Sequence, residues 1–327
     1  MDKSKTLASG RLRVGLIGPG SIAERLITAL SSIEDVDFWS VLGRDLTRTR
    51  DFATRHGAKS RKQAYIDLPS FLADPLLDAV IIATPDRLHA AQCIAAARAR
   101  KHVFVEKPMA TSVRDARRIV DTCRKHEVEL AVGYHLRFHA GHQQIRQLVA
   151  EGAIGTIRHI NVTWTMLASE TDWRSSPELG RWWSLAALGT HGLDLVQWLV
   201  WQQAGEITTA KALFSNGVFP GARDETSLVS LAFESGATAQ VLSSVVFRAP
   251  RLVEIFGTTG SIRCLETLGP RGAGEIFVNN RPLAFPVVDP YKLELTDFAK
   301  AIISGGTPSV DGAIGSGNVA LLEKLSK

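Results

Sequence analysis

Near its start the chain reads LRVGLIGPGSIAERLITAL, an apolar run over residues 12–18 followed by Gly20 and then by Ile22, Leu26, Ile27 and Leu30 at helical spacing. A short run this apolar suits a parallel strand buried on both faces. Gly18-Pro19-Gly20-Ser21-Ile22-Ala23 fits G-x-G-x-x-[GA] between that strand and the helix. Glycines there permit a tight turn and let the backbone approach a pyrophosphate, which rests on the helix N-terminus. The bare pattern is weak. In the first strand–helix unit of a sheet it points to a dinucleotide.

Strand and helix keep alternating. DFWSVLG reads as a second strand and residues 45–56 as a second helix; DAVIIA, HVFV and ELAV are further strands, each separated by ten or more residues of helical pattern. This predicts an α/β domain, a doubly wound parallel sheet with helices on both faces. After Gly133 the texture changes. FHAGHQQIRQLVAEG reads as one helix, and IRHINVTWTM alternates with Ile160, Val162, Trp164 and Met166 on one face. TSLVSLAFE, ATAQVLSSVVF and RLVEIFGTTGSIRCL are β-rich and joined by short turns. They predict a C-terminal α+β domain with an open, mainly antiparallel sheet. DPYKLELTDFAKAII and residues 313–325 return to helical spacing. The boundary falls at residue 133, giving domains 1–133 and 134–327.

Bulk properties agree with two globular domains. The 327 residues exceed one ordinary core, and 45% hydrophobic with 22% charged residues is globular composition. No apolar run approaches the roughly 20 residues that span a bilayer. The opening MDKSKTLASGR lacks the apolar core of a signal peptide, so a cytoplasmic protein without a membrane partner is expected. The net charge of +5 is scattered, and its densest group, Arg98, Arg100 and Lys101, suits a helix C-terminus. With no helix-turn-helix, RNA-binding or clustered basic motif, no nucleic-acid partner is expected. Cys93, Cys123 and Cys264 lie far apart without a C-x-x-C pair and read as reduced structural thiols, not a metal site.

The second strand ends Val41-Leu42-Gly43-Arg44-Asp45. Dinucleotide folds commonly place an acid there for the ribose hydroxyls. Gly43 leaves room for a 2′-phosphate and Arg44 can pair with it, which favours NADP over NAD. Asp45 reads as the N-cap of the next helix.

Ala83-Thr84-Pro85-Asp86-Arg87-Leu88-His89 follows DAVIIA, and Glu106-Lys107-Pro108 follows HVFV. Both lie at C-terminal strand ends, where open α/β sheets bind ligands. Taken with GPGSIA, with Gly133-Tyr134-His135-Leu136-Arg137-Phe138 and with the G-x-H-x-x-D run at Gly189, His191 and Asp194, the chain resembles the Gfo/Idh/MocA oxidoreductases over nearly its whole length. The resemblance implies a Rossmann domain and a second domain whose sheet makes homo-oligomer contacts. It implies hydride transfer between nicotinamide and a sugar, cyclitol or related small-molecule carbinol. Cofactor positions would be Gly18, Gly20, Ser21, Ile22, Ala23, Gly43, Arg44, Thr84, Pro85, Asp86, His89, Glu106 and Lys107. Lys107 would stand beside the reacting oxygen. A lysine in a partly desolvated site has its pKa lowered from about 10.4 toward 7–8, where it can exchange protons with a hydroxyl. Pro108 would follow a cis bond, as in relatives, fixing how Lys107 points.

The departures from the family pattern bear on the substrate side. Many relatives carry D-x-x-x-H; here His191 matches the histidine and Ala187 stands at the acid. Hydride transfer needs a positioned carbon and one proton carrier, so the missing acid does not remove activity. His191 is either catalytic or substrate-binding, with a structural role as the alternative, and Asp194 either orients it or caps a helix. Trp182 and Trp183 are pocket walls or core filler. Asp86 and His135 replace asparagines. Tyr134, His135, Arg137, Trp173, Arg174 and His191 are the candidate substrate contacts, with packing as the competing role for each. A nucleotide-sensing regulatory protein of the same fold is the alternative, and the retained Lys107 and His191 favour the enzyme.

Overall fold

The apolar runs of the first half each become a buried strand. The computed structural model describes residues 10–169, 172–175, 180–220 and 223–326; most of the polar opening segment, residues 1–9, lies outside them. In chain order the first part is β1 (Leu12–Ile17), α1 (Ser21–Leu30), β2 (Val36–Leu42), α2 (Leu46–Arg55), β3 (Ala64–Tyr65), α3 (Leu68–Leu72), β4 (Ala79–Ile82), α4 (Asp86–Arg98), β5 (His102–Val105), α5 (Val113–Lys125) and β6 (Leu130–Val132). The strands form one six-stranded parallel sheet in the order β3-β2-β1-β4-β5-β6. The order reverses between β1 and β4, and that is where doubly wound sheets open a crevice beyond their carboxyl ends. The short pair β3 and α3 escaped the periodicity reading, since two and five residues are too few to show a period. Asp45 caps α2, accepting from the Arg48 amide at 2.8 Å, as expected.

The second part opens with a 3₁₀ turn (His135–Phe138), then α6 (Ala140–Ala150), β7 (Ile157–Thr165), a 3₁₀ turn (Trp173–Ser175), a π-turn (Leu185–Gly189) and α7 (Thr190–Ala204). Strands β8 (Ile207–Ser215), β9 (Thr226–Phe233), β10 (Thr238–Ser244), β11 (Leu252–Gly257), β12 (Ser261–Leu265), β13 (Glu275–Val278) and β14 (Arg281–Pro282) follow, and then α8 (Pro290–Ser304) and α9 (Gly312–Leu325). The eight strands run β14-β13-β12-β11-β7-β10-β9-β8; only β7 and β10 pair in parallel, so the sheet is mixed and mainly antiparallel. Ile160, Val162 and Trp164 share the buried face of β7, and α7 covers that face with Leu195, Val196 and Leu199. Sequence reading passed over β8, whose polar alternation ITTAKALFS leaves most side chains exposed.

The contiguous split at residue 133 differs from the observed grouping. The chain forms two units: residues up to Gly133 together with Tyr291–Val319, and Tyr134–Pro290 together with the C-terminal residues from Ala320. Tyr291, Leu295, Phe298 and Ala299 of α8 are buried in one cluster with Leu12, Phe104 and Ala131. Phe298 meets Phe104 edge-on at 5.8 Å, and the Val132 amide donates to Val310. Helical spacing reveals an apolar face but not the sheet that receives it.

The three cysteines are buried thiols, and burial pushes those of Cys123 and Cys264 up to about 12. Among the described residues no helix is long and apolar enough to cross a membrane.

In the second unit His139 and His142 are fully buried and stacked at 4.3 Å. His139 Nδ1 accepts from the Gly141 and His142 amides, while His142 lies between the Leu136 carbonyl and Thr267 Oγ1. Burial holds His142 well below the ordinary imidazole range, and it lowers His139 too. Below about pH 6.5 the unfolded chain therefore binds protons that the folded chain refuses, and stability falls with pH. Between pH 6.5 and 5, His142→Gln should lose about 1 kcal/mol per pH unit less than the wild type in urea denaturation. Superimposable pH dependences would refute this assignment.

Candidate active site

In the first unit the glycine loop is shaped by what it touches. Gly18 has φ +93°, and a Cβ there would lie 2.7 Å from Thr84 Cγ2 and 3.1 Å from the Ala83 carbonyl carbon. The loop after β1 thus presses on the loop after β4, and only glycine takes that backbone at no cost. Gly20 opens α1 with no side-chain cap, and a Cβ there would meet nothing within 4 Å. Ser21 is exposed, Ile22 half-buried and Ala23 fully buried against the sheet. An uncapped helix N-terminus behind an open glycine is an anion cradle, and it fits a dinucleotide pyrophosphate.

The reason for Gly43 is different from the one expected. A Cβ there would sit 2.1 Å from Thr49 Oγ1 and 3.2 Å from Pro19 Cγ, so the glycine is required by packing rather than left to make room. An acidic side chain is excluded either way. Arg44, next along, is exposed.

The loops after β4 and β5 are tied together. His89 is buried, with Nδ1 2.9 Å from the Pro108 carbonyl oxygen and Nε2 2.8 Å from that of Thr84. Both ring nitrogens are thus engaged by backbone, which makes His89 a brace between the loops rather than a side chain offered to a ligand. Thr84 Oγ1 donates to Gln92 Oε1 at 2.6 Å. Asp86, after Pro85, is buried in the first turn of α4, where a carboxylate suits the helix dipole. Glu106 is buried and accepts from the Lys107 amide at 3.2 Å. The Lys107–Pro108 bond is cis, and the Lys107 side chain is half-buried.

The second unit gathers a ring cluster around His191. A Cβ on Gly192 would lie 2.8 Å from Val241 Cγ1 and 3.2 Å from Val162 Cγ1, so bare glycine lets α7 settle onto β7 and β10. His191 then meets His135 at 4.9 Å, Trp164 at 5.2 Å and Tyr134 at 5.9 Å between ring centroids. All four are at most 9% exposed. Tyr134 Oη lies 2.8 Å from Thr190 Oγ1, anchoring the phenol. Tyr134, His135 and His191 are thus brought together in one buried cluster. Trp164 went unnoticed as a neighbour because its alternation marked it only as core.

Other candidates are committed elsewhere. Arg137 forks onto Asp194, Nε to Oδ2 at 2.8 Å and Nη2 to Oδ1 at 2.7 Å, so Asp194 holds Arg137 in a paired-charge geometry. Both residues were singled out in the sequence, but nothing in their spacing showed that they pair. The guanidinium of Arg174 stacks on its neighbour Trp173 at 4.0 Å. Trp182 and Trp183 are core: the Trp182 indole N–H donates to Ser326 Oγ, and Trp183 packs on Phe219 at 5.0 Å. Ala187 packs against the core cluster.

Residues 12–134 match the oxidoreductase family with a NAD-binding Rossmann fold, and residues 142–263 match the Gfo/Idh/MocA C-terminal domain, together well over half of the chain. The chain belongs to the Gfo/Idh/MocA oxidoreductase family, and its first unit is the nicotinamide-dinucleotide domain of that family. It is 27% identical to the myo-inositol 2-dehydrogenase of Thermotoga maritima, over 95% of this chain and 93% of that protein. It is 28% identical to the 1,5-anhydro-D-fructose reductase of Ensifer adhaerens, over 94% and 93% respectively. In fold it matches an aldose-aldose oxidoreductase of Caulobacter crescentus with a TM-score of 0.89 at 23% identity, covering 97% of this chain and 96% of that one.

Proposed function

We propose that the chain transfers a hydride between NADP and a carbinol or carbonyl carbon of a sugar or cyclitol, with Lys107 carrying the proton of the reacting oxygen. The observation that carries this reading is the open, uncapped cradle of Gly18 and Gly20 in the same sheet as Lys107, at the carboxyl ends of β1 and β5. Bound nicotinamide supplies or takes up the hydride. Lys107 donates a proton to the oxygen in reduction and accepts it in oxidation, and His89 and Glu106 hold its loop. Within the second unit, Tyr134, His135 and His191 are the proposed substrate contacts, gathered with Trp164 in one ring cluster. The relatives named for myo-inositol and anhydrofructose support that substrate class. Exposed Leu213 and Phe214 on β8 support self-association through the C-terminal sheet.

A panel of sugars and inositols with NADPH, NADP, NADH and NAD, followed by nicotinamide absorbance, tests the reading. Turnover of at least one cyclic polyol or its ketone is expected. Silence across the panel with cofactor bound would overturn it.

Cofactor preference rests on Arg44, because no acid fits at Gly43. A charge-assisted pair contributes about 1.5–3 kcal/mol, roughly ten- to a hundredfold in affinity. Arg44→Ala should therefore weaken NADPH by that factor and leave NADH nearly unchanged in fluorescence titration. Equal losses for both cofactors would remove Arg44 from phosphate recognition.

A further inference from the structure

The turn that delivers His191 and the segment leading into it are bonded to two consecutive residues far away in sequence, Asp224 at the start of the turn and Arg223 before it. Arg223 donates from Nη1 to the Arg174 carbonyl and from Nη2 to the Gly180 carbonyl, each at 2.6 Å. Asp224 does the converse: Oδ1 accepts from the Trp183 amide at 2.8 Å, and Oδ2 accepts from the Leu185 amide at 2.7 Å and the Ser184 hydroxyl at 2.9 Å. A cation thus gathers carbonyls and the adjacent anion gathers amides. Bonds of this charge-assisted kind are about twice as strong as neutral ones.

What they hold is not a default conformation. Leu185–Gly189 forms a π-turn, with the Thr190 amide bonding to the Leu185 carbonyl. Such turns are rare, occur mostly as single-turn bulges at α-helices and are frequent at functional sites. Here the surroundings are polar and continuous. Ser184 Oγ lies 3.3 Å from Ser227 Oγ, and Ser227 Oγ lies 2.6 Å from Ser243 Oγ. Ser243 Oγ in turn lies 2.8 Å from where a Cβ on Gly189 would be. The chain of hydroxyls therefore starts at Asp224, before the π-turn, and ends beneath its last residue. Ser243 is also the register partner of Trp164, whose ring touches His191.

We propose that Arg223 and Asp224 form a positioning clasp, in which Asp224 sets the ring orientation of His191 by fixing the amides of Trp183 and Leu185. The role of His191 toward substrate rests on the function proposed above; its orientation by Asp224 does not. The Ala187 side chain carries no polar atom, and the clasp acts on the backbone of the turn. Burial pushes the Asp224 carboxyl upward, and the Trp183, Leu185 and Ser184 bonds pull it back, so the carboxylate depends on those partners as they depend on it.

The test is a long-range ¹H–¹⁵N spectrum of the histidine rings of the full chain at one pH, with His191 assigned by loss of its signals in His191→Gln. Asp224→Asn keeps the size of the side chain but puts an N–H₂ against donors. It should shift the His191 ring signals and leave those of His139 and His142 in place. Ser184→Ala, which removes one hydroxyl, should shift them in the same direction by less, and it decides the question if Asp224→Asn does not fold. Glu266→Gln, a carboxylate that accepts from the Arg251 amide instead, should leave His191 unmoved. A merely structural Asp224 would lower the melting temperature while the His191 signals of the folded protein stayed at their wild-type positions. That result, or an equal shift in Glu266→Gln, overturns the clasp. Because this readout needs no substrate, a chain with no activity in the polyol panel could still show it, and the two failures stay distinct.

Discussion

Lys107→Met should slow single-turnover hydride transfer by about 10²–10⁴, the usual contribution of a placed proton carrier. That corresponds to roughly 3–5 kcal/mol of lost transition-state stabilisation. Methionine keeps most of the length and apolar stem of lysine while removing the ammonium, so folding and cofactor affinity should change little. The loop itself is held by the His89 brace and by the buried Glu106 carboxylate on the Lys107 amide, neither of which uses the lysine side chain. Rapid mixing with a substrate from the panel gives the rate, fluorescence titration gives the affinity, and a melting curve gives the fold. Full turnover in Lys107→Met would assign the proton to another group.

Asp194→Ala should destabilise the second unit by about 3–5 kcal/mol, the cost of leaving one member of a buried ion pair without its counter-charge. The pair is bidentate, with the Asp194 and Arg137 side chains 1% and 14% exposed, so little water is at hand to replace the carboxylate. Arg137 also stacks on Trp198 at 5.9 Å and cannot swing out without giving up that contact. Replacing both partners, as Arg137→Met with Asp194→Leu, should recover most of the loss, because apolar residues of similar volume often substitute for a buried pair at no cost. Urea denaturation followed by tryptophan fluorescence measures both variants. A loss below about 1 kcal/mol in Asp194→Ala would place the pair among exposed bridges.

Local order carried most of the first unit into view before any coordinates. Buried parallel strands are short apolar runs, and a glycine loop between strand and helix has few other uses, so β1, α1 and the cradle at Gly18 and Gly20 were readable residue by residue. So were the N-cap at Asp45 and the loops containing Thr84 and Lys107. Whatever depended on pairing across the chain was not. Gly43 read as space and proved to be contact with Thr49 and Pro19. His89 read as a cofactor ligand and proved to span two backbone carbonyls.

The doubly wound sheet and the mainly antiparallel second sheet were legible in the periodicity of the sequence, and its short motifs carried the resemblance to the family and the candidacy of Lys107 and His191, because periodicity and short motifs are properties of neighbours. Only the tertiary structure decided that α8 returns to the first sheet, that Arg137 belongs to Asp194 and that Trp164 faces His191. It alone decided that Asp224 bonds the amides of Trp183 and Leu185, some forty residues upstream, at the start of a π-turn. Each of these is a contact between segments distant in sequence. Its partners are chosen by which charges and apolar faces are left to satisfy once the strands have paired, and no local pattern records that choice.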